Sequence, residues 1–413
     1  MKIFIKNVLL PNGKRANLLI EENRISAINP KRPDKSDSVI EAKNMLALPG
    51  LFNMHAHAAM ILFRGYADDF ELHEWLTKYI FPIEAKLRPK DVYYGTLLAC
   101  AEMIHSATTC FNDMYFFEEE IAKAVEKSGM RAVVSKALSK ASYKENEARK
   151  AIKNLGKYKR VMPALGPHAI YTTDTETLKA VKELASELRV PIHFHLSETK
   201  KEVEDCIKQH HLRPVYYLER IGFLGSNLIN AHCVWLEQSE MKVLARHNAK
   251  VVSCPVSNLK LASGIAPLSE IIDAGVTAML GTDGSASNNS LNMFETMKLA
   301  SILQKYRYND ATMLPANKTF ELATKNAGEA LGIKAGLIRE GFLADVCLIN
   351  LKHISMIPCH NAISNIIFSA EPACVDTVIC DGYIIMQHGK IPWEERIKAK
   401  ASKVAERLLS RAR

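Results

Sequence analysis

The sequence has no C-x-x-C pair, no long apolar run and no low-complexity linker. Its cysteines, Cys100, Cys110, Cys206, Cys233, Cys254, Cys347, Cys359, Cys374 and Cys380, number nine. An odd count without paired spacing argues against a disulfide framework or a structural zinc ribbon, and for a reducing, cytoplasmic setting. No stretch of about 18 apolar residues offers a membrane span. The opening MKIFIKNVLL lacks the apolar h-region of a signal peptide, so none is expected. Aromatics are scarce at 7%, and only Trp393 accompanies the basic tail, so the stacking surface that single-stranded nucleic acid needs is missing. The net charge is +9, and residues 390–413 supply +5 of it through eight Lys/Arg against three Glu. Ile397, Val404, Leu408 and Leu409 have helical spacing there, so the tail reads as a solvated amphipathic helix.

What is present is a chain of 413 residues with 48% apolar content, enough for a barrel of about 250 residues and a smaller appendage. The first 49 residues hold short apolar runs split by Pro11-Asn12-Gly13 and Glu22-Asn23. The segment from Ala344 onward has the same texture, with turns at Asp381-Gly382 and His388-Gly389. Between these ends, short runs such as Ile192–His195 and Val251–Cys254 alternate with helical patterns at Glu118–Ser128, Thr175–Leu188, Lys200–Ile221 and Glu237–His247. The alternation predicts βα units and a parallel sheet. The expected fold is α/β: a (β/α)8 TIM-type barrel over residues 50–343, and a small β-sandwich domain built from both termini, 1–49 and 344–413, ending in a helix.

Working residues of such barrels lie at the C-terminal ends of strands. In this chain His55, His57, His168, His195, Glu198, His232 and Asp283 all follow apolar runs. The pair His55-x-His57 has strand spacing, which puts both imidazoles on one side. Two such nitrogens, joined by His195 and Asp283, make a ligand set suited to Zn²⁺ or Fe²⁺. His193 shares the face of His195.

Five stretches carry a resemblance: PGLFNMHAH (Pro49–His57), HFHLSE (His193–Glu198), NAHCVW (Asn230–Trp235), CPVSN (Cys254–Asn258) and GTDGSASNN (Gly281–Asn289). With GFLADVCLIN and DGYIIMQHGK near the end, the chain resembles the amidohydrolase superfamily over nearly its whole length. Within it, the chain looks like the 5′-methylthioadenosine/S-adenosylhomocysteine deaminase group. The resemblance implies one divalent metal per subunit, zinc before iron, on His55, His57, His195 and Asp283. It prefers His195 over His193 because the family places its ligand directly before Leu-x-Glu. A bound metal lowers its water's pKa towards about 7. His232 and Asp283 would orient that water, and Glu198 would pass a proton to the purine ring nitrogen beside the attacked carbon. Where two-metal members carry a bridging lysine on the fourth strand, this chain reads VMPALGPHA, and His168 resembles a substrate-binding residue.

In EWLTKYIFPIE, Trp75 and Glu84 resemble the family's substrate pocket. A carboxylate there accepts two ribose hydroxyls, and an indole faces the sugar's 5′ side. Members that accept S-adenosylhomocysteine use an arginine where this chain has Lys136, and lysine lacks the bidentate fork. Arg149 is the one further candidate cation. The resemblance implies hydrolytic deamination of an adenosine-type nucleoside and a homo-oligomer, with no nucleic-acid or membrane partner. Guanine or cytosine deaminase and chlorohydrolase-like chemistry share the scaffold. A non-catalytic scaffold protein is the alternative of another class.

Overall fold

Period-two burial organises both ends of the chain. The computed structural model describes residues 1–30 and 35–412, the last by its backbone alone. Five strands come first: β1 (Lys2–Leu9), β2 (Arg15–Glu21), β3 (Arg24–Ile28), β4 (Ser38–Glu41) and β5 (Met45–Pro49). Eight follow: β6 (Leu51–Ala56), β7 (Thr108–Tyr115), β8 (Arg131–Leu138), β9 (Val161–Pro167), β10 (Ile192–Leu196), β11 (Leu228–His232), β12 (Lys250–Ser253) and β13 (Ala278–Leu280). The last three are β14 (Val346–Asn350), β15 (Val375–Cys380) and β16 (Tyr383–Met386).

The terminal strands form one mixed sheet in the order β16-β15-β14-β5-β1-β2-β3, with β4 parallel to β1. Along β5, Ala47 enters one core while Leu46 and Leu48 enter another. Val346 and Leu348 of β14 likewise oppose Cys347 and Ile349, and Ile379 of β15 opposes Val378 and Cys380. Successive side chains of a strand point to opposite faces. One face of this sheet therefore covers its own core and the other docks on the barrel. Ile25 N donates to Phe342 O at 3.0 Å and Ala344 N to Asn23 O at 2.9 Å, which returns β3 to the chain entering β14. The sheet bends round a core that includes Ile3, Ile5, Leu18, Ile20, Val346 and Leu348. Both termini build this unit, as expected, and its strands follow one continuous hydrogen-bonded path.

Strands β6 to β13 lie side by side in chain order, every neighbouring pair parallel. Between β13 and β6 the ring closes through the Asn53 side chain and one backbone bond. Thr282 N donates to Asn53 Oδ1 at 2.9 Å, Asn53 Nδ2 to Thr282 Oγ1 at 2.7 Å, and Asp283 N to His55 O at 2.9 Å. This is the predicted barrel, and its C-terminal face carries the polar strand ends.

One expected helix differs from the sequence reading. The helix expected over Lys200–Ile221 is two helices, Lys200–His210 and Pro214–Arg220. His211 turns left-handed at φ 58, and Pro214, which has no N–H to donate, starts the second. Residues Leu72–Glu84 are helical with a π-turn stretch at Trp75–Ile80. The terminal helix Glu394–Ala412 packs on the barrel helix Pro89–His105, burying Ile397, Ala401, Val404 and Leu408 while Leu409 stays exposed. Arg411 pairs with Asp91 at 2.8 Å and Glu394 with His105 at 2.9 Å. No helix among the described residues is long and apolar enough to cross a membrane. The nine cysteines are all free.

Candidate active site

Polar side chains from six strand ends converge on one pocket. Its lining includes His57, Trp75, Glu84, Tyr115, His168, His195, Glu198, His232 and Asp283. Non-glycine residues hold left-handed backbone at Ser197 (φ 50), His232 (φ 70), Cys233 (φ 50) and Asp283 (φ 66). Such conformations cost free energy and persist where surrounding bonds enforce them. Here Asp283 N is bound to His55 O and Cys233 N to Leu196 O, each at 2.9 Å.

The inward face of each imidazole is set by the partner of its other nitrogen. His57 Nδ1 meets Met114 O at 2.6 Å, His195 Nδ1 meets His168 O at 2.8 Å, and His232 Nδ1 meets Asn258 Oδ1 at 2.9 Å. In all three the acceptor oxygen requires Nδ1–H, which leaves the Nε2 lone pair facing the pocket. His55 Nδ1 lies 2.7 Å from His193 Nε2. His55 Nε2 is buried without a hydrogen-bond partner and faces Asp283 Oδ1 at 3.3 Å. His57 Nε2 is also 3.3 Å from Asp283 Oδ1, and 3.3 Å from His195 Nε2. The other Asp283 oxygen accepts from Ser257 Oγ at 2.6 Å and Ser287 Oγ at 2.7 Å.

These separations test whether a metal fits. Ligands about 2.0–2.1 Å from a tetrahedral cation lie about 3.3 Å apart. Three of the separations among these three imidazole nitrogens and one carboxylate oxygen have that value, and one nitrogen is buried and unpartnered, which fits such a centre. Burial favours the neutral form of His55 and His195, the form that ligands must take. It pushes His55 down to about 3, despite the Asp283 carboxylate, and His193 and His195 well below the usual range, helped by neighbouring imidazoles. Burial alone would raise Asp283, but His55, His57 and His232 hold its carboxyl well below the carboxylate range.

A second group faces this centre. Glu198 Oε2 is 3.8 Å from His232 Nε2. Burial pushes Glu198 up, partly offset by His232. Burial would lower His232, but Glu198 and Asp283 outweigh it and raise it. An acid and a base whose affinities both rise are placed to hold one proton between them.

The remaining predicted residues divide. His168 lines the pocket, its Nδ1 3.0 Å from Thr172 Oγ1, and burial pushes it down to about 4. Trp75 lines it too and donates from Nε1 to Ala67 O at 3.0 Å. Glu84 accepts from Tyr115 OH at 2.6 Å, and burial pushes it up to about 7 against that bond. Lys136 is not brought to this group. It lines an adjoining pocket, with Nζ 3.2 Å from Glu118 Oε2. Arg149 is tied to Glu187 and Glu145. Sequence reasoning assigned no roles to Ser257, Asn258 and Ser287, although all three stand in the quoted motifs. It also missed Asp113, whose Oδ1 accepts from Ala58 N at 2.6 Å beside His57 and whose carboxyl burial pushes up to about 7. Only its place at a strand end hinted at it.

Comparison with known proteins points to one family. The pattern of the Amidohydrolase family matches residues 46–385. A 5-methylthioadenosine/S-adenosylhomocysteine deaminase of Archaeoglobus fulgidus is 47% identical, over 99% of this chain and 100% of the relative. A 5′-deoxyadenosine deaminase of Methanocaldococcus jannaschii is 46% identical over the same shares. Among solved structures, a zinc-bound adenosine deaminase of Xanthomonas campestris superposes with a TM-score of 0.93 at 31% identity, covering 99% of this chain and 98% of that one.

Proposed function

The chain belongs to the amidohydrolase family, and from that premise we propose that it deaminates adenosine-type nucleosides hydrolytically, giving the 6-oxo purine and ammonia. The observation that carries the reading is the convergence of His55, His57 and His195 Nε2 with Asp283 Oδ1, faced by the Glu198–His232 pair. Its catalytic unit is the barrel, residues 50–343, and the flanking segments 1–49 and 344–413 brace it. Three imidazoles and one carboxylate suit zinc first and iron second, one ion per chain. When bound, that ion supplies a water-derived nucleophile at neutral pH.

The protein's own groups do the rest. Glu198, whose proton affinity burial raises, donates to the purine ring nitrogen next to C6, which makes that carbon electrophilic. His232 takes part in orienting the nucleophile, with its tautomer fixed by Asn258. Asp283, held by two serine hydroxyls, both binds the ion and accepts the proton that the nucleophile gives up. Of the two protons that water gives up, one restores Glu198, and the other, taken by Asp283 and passed through Glu198, leaves with ammonia. His168 stands beside the ligand His195, their ring centres 4.6 Å apart, within reach of a bound purine. Glu84 accepts the ribose hydroxyls, and the apolar face of Trp75 receives the 5′ side. With Lys136 paired to Glu118 and no Lys or Arg among the described residues that line the pocket, uncharged 5′ groups are preferred to the amino-acid tail of S-adenosylhomocysteine. The unbridged cysteines support a cytoplasmic location, and a homo-oligomer is part of this reading.

A turnover panel of adenosine, 5′-deoxyadenosine, 5′-methylthioadenosine, S-adenosylhomocysteine, guanine and cytosine tests it. Ammonia release is expected from the three nucleosides with uncharged 5′ groups, with kcat/KM at least tenfold above that for S-adenosylhomocysteine and the bare bases. Turnover of guanine or cytosine alone would assign the site to the other branch. No turnover with zinc bound would favour a scaffold.

A further inference from the structure

Thr199-x-x-Glu202 has the spacing of a capping box, in which the glutamate reaches back to the N–H of the capping threonine. Half of that box forms: Glu202 N donates to Thr199 Oγ1 at 3.1 Å. The glutamate side chain does something else. Its Oε1 accepts from Ser197 N at 2.9 Å and its Oε2 from Glu198 N at 2.8 Å, two residues that lie outside its helix. The side chain is buried, with 7% of the residue exposed, where an unpaired carboxylate would be costly.

Those two amides belong to the left-handed turn after β10, with Ser197 at φ 50. Ser197 O accepts from Val234 N and Trp235 N, both at 3.0 Å, and Leu196 O from Cys233 N. The second turn, through His232 and Cys233, is left-handed as well. Two strained turns thus interlock by backbone, and one buried carboxylate fastens the first of them from the helix side. The turns carry Glu198 and His232.

We propose that Glu202 is a positioning residue that aims Glu198 at the reacting purine by clamping the amides of Ser197 and Glu198. The inference rests on the proton-transfer role given to Glu198 above. A misplacement of about 1 Å costs on the order of 100-fold in rate, so the clamp is felt in kcat.

The test compares wild type, Glu202→Gln, Glu202→Asp, Glu198→Gln and the double variant Glu198→Gln/Glu202→Gln, with 5′-deoxyadenosine as substrate. Expected for Glu202→Gln is a fall in kcat of about 10- to 100-fold, KM within about twofold, and unchanged bound metal. Hydrogen exchange of the 195–199 peptide quickens, because one amide loses its acceptor. Glu202→Asp, whose shorter stem withdraws both oxygens, shows the same pattern and serves if the glutamine variant does not fold. The double variant is no slower than Glu198→Gln alone. Wild-type kcat in both Glu202 variants, or losses that multiply in the double variant, would overturn the proposal. If the wild type deaminates no adenosine nucleoside, the deaminase reading fails instead, and unchanged exchange in the variants would then refute the clamp on its own.

Discussion

Glu198 and His232 face each other across 3.8 Å, each with its proton affinity raised, the first chiefly by burial and the second by the carboxylates around it. A carboxyl whose hold on its proton is strengthened suits donation to the purine ring. Glu198→Gln keeps the shape and removes the transferable proton, so kcat falls by about two to four orders of magnitude while the metal stays bound. Metal analysis beside kinetics checks both halves, and near-normal turnover would remove Glu198 from the chemistry. Glu84 gives a pH signature. Its carboxyl is raised to about 7 by burial, so below that pH it is neutral and above it is the acceptor that ribose hydroxyls need. The value of kcat/KM for nucleosides is therefore expected to fall as pH drops through about 7, by up to tenfold per unit. Glu84→Gln should flatten that limb, and persistence of the same limb would assign it to another group. The histidines were legible from strand-end position, and their roles from motif resemblance. Ser257, Ser287 and Asp113 had no assigned role because a hydroxyl or carboxylate behind a ligand shows itself only through whom it touches.

At the scale of elements, turn chemistry was the most readable part. Asp381-Gly382 joins β15 to β16 with φ 52 and 76, the left-handed pair that a two-residue hairpin wants. Glycine is required there for a second reason: an added Cβ would sit 1.7 Å from Glu22 O. Gly382→Ala is expected to cost about 1–3 kcal/mol, read as a lower denaturation midpoint with kcat near wild type at low temperature. An unchanged midpoint would mean that the contact between the two turns is not maintained. Helices with clear apolar periodicity, such as Thr175–Leu188, kept their expected bounds. The Lys200–Ile221 pattern ran through Pro214 because the apolar spacing continues across the break, and periodicity alone does not register a missing N–H. The π-turn at Trp75–Ile80 has no sequence signature of its own. It begins at Trp75 and ends four residues before Glu84, and both of these line the pocket.

For the molecule as a whole, the site and the ring closure are one construction. His55 and His57 end the first stave, His195 lies on the fifth, and Asp283 follows the last. The first and last staves meet through Asn53, Thr282 and the Asp283 amide, so the proposed ligands stand where the barrel shuts. The βα alternation made the barrel legible, and the texture shared by both ends made the appended sheet legible. The docking of the terminal helix on the barrel was not, since an amphipathic stripe names no partner. The most direct measurement is anomalous diffraction at the zinc edge from crystals of the zinc-loaded protein. One peak about 2.0–2.2 Å from Nε2 of His55, His57 and His195 and from Oδ1 of Asp283 is predicted. No peak there, or a peak that leaves any of these four atoms uncoordinated while His193 coordinates, would contradict the account.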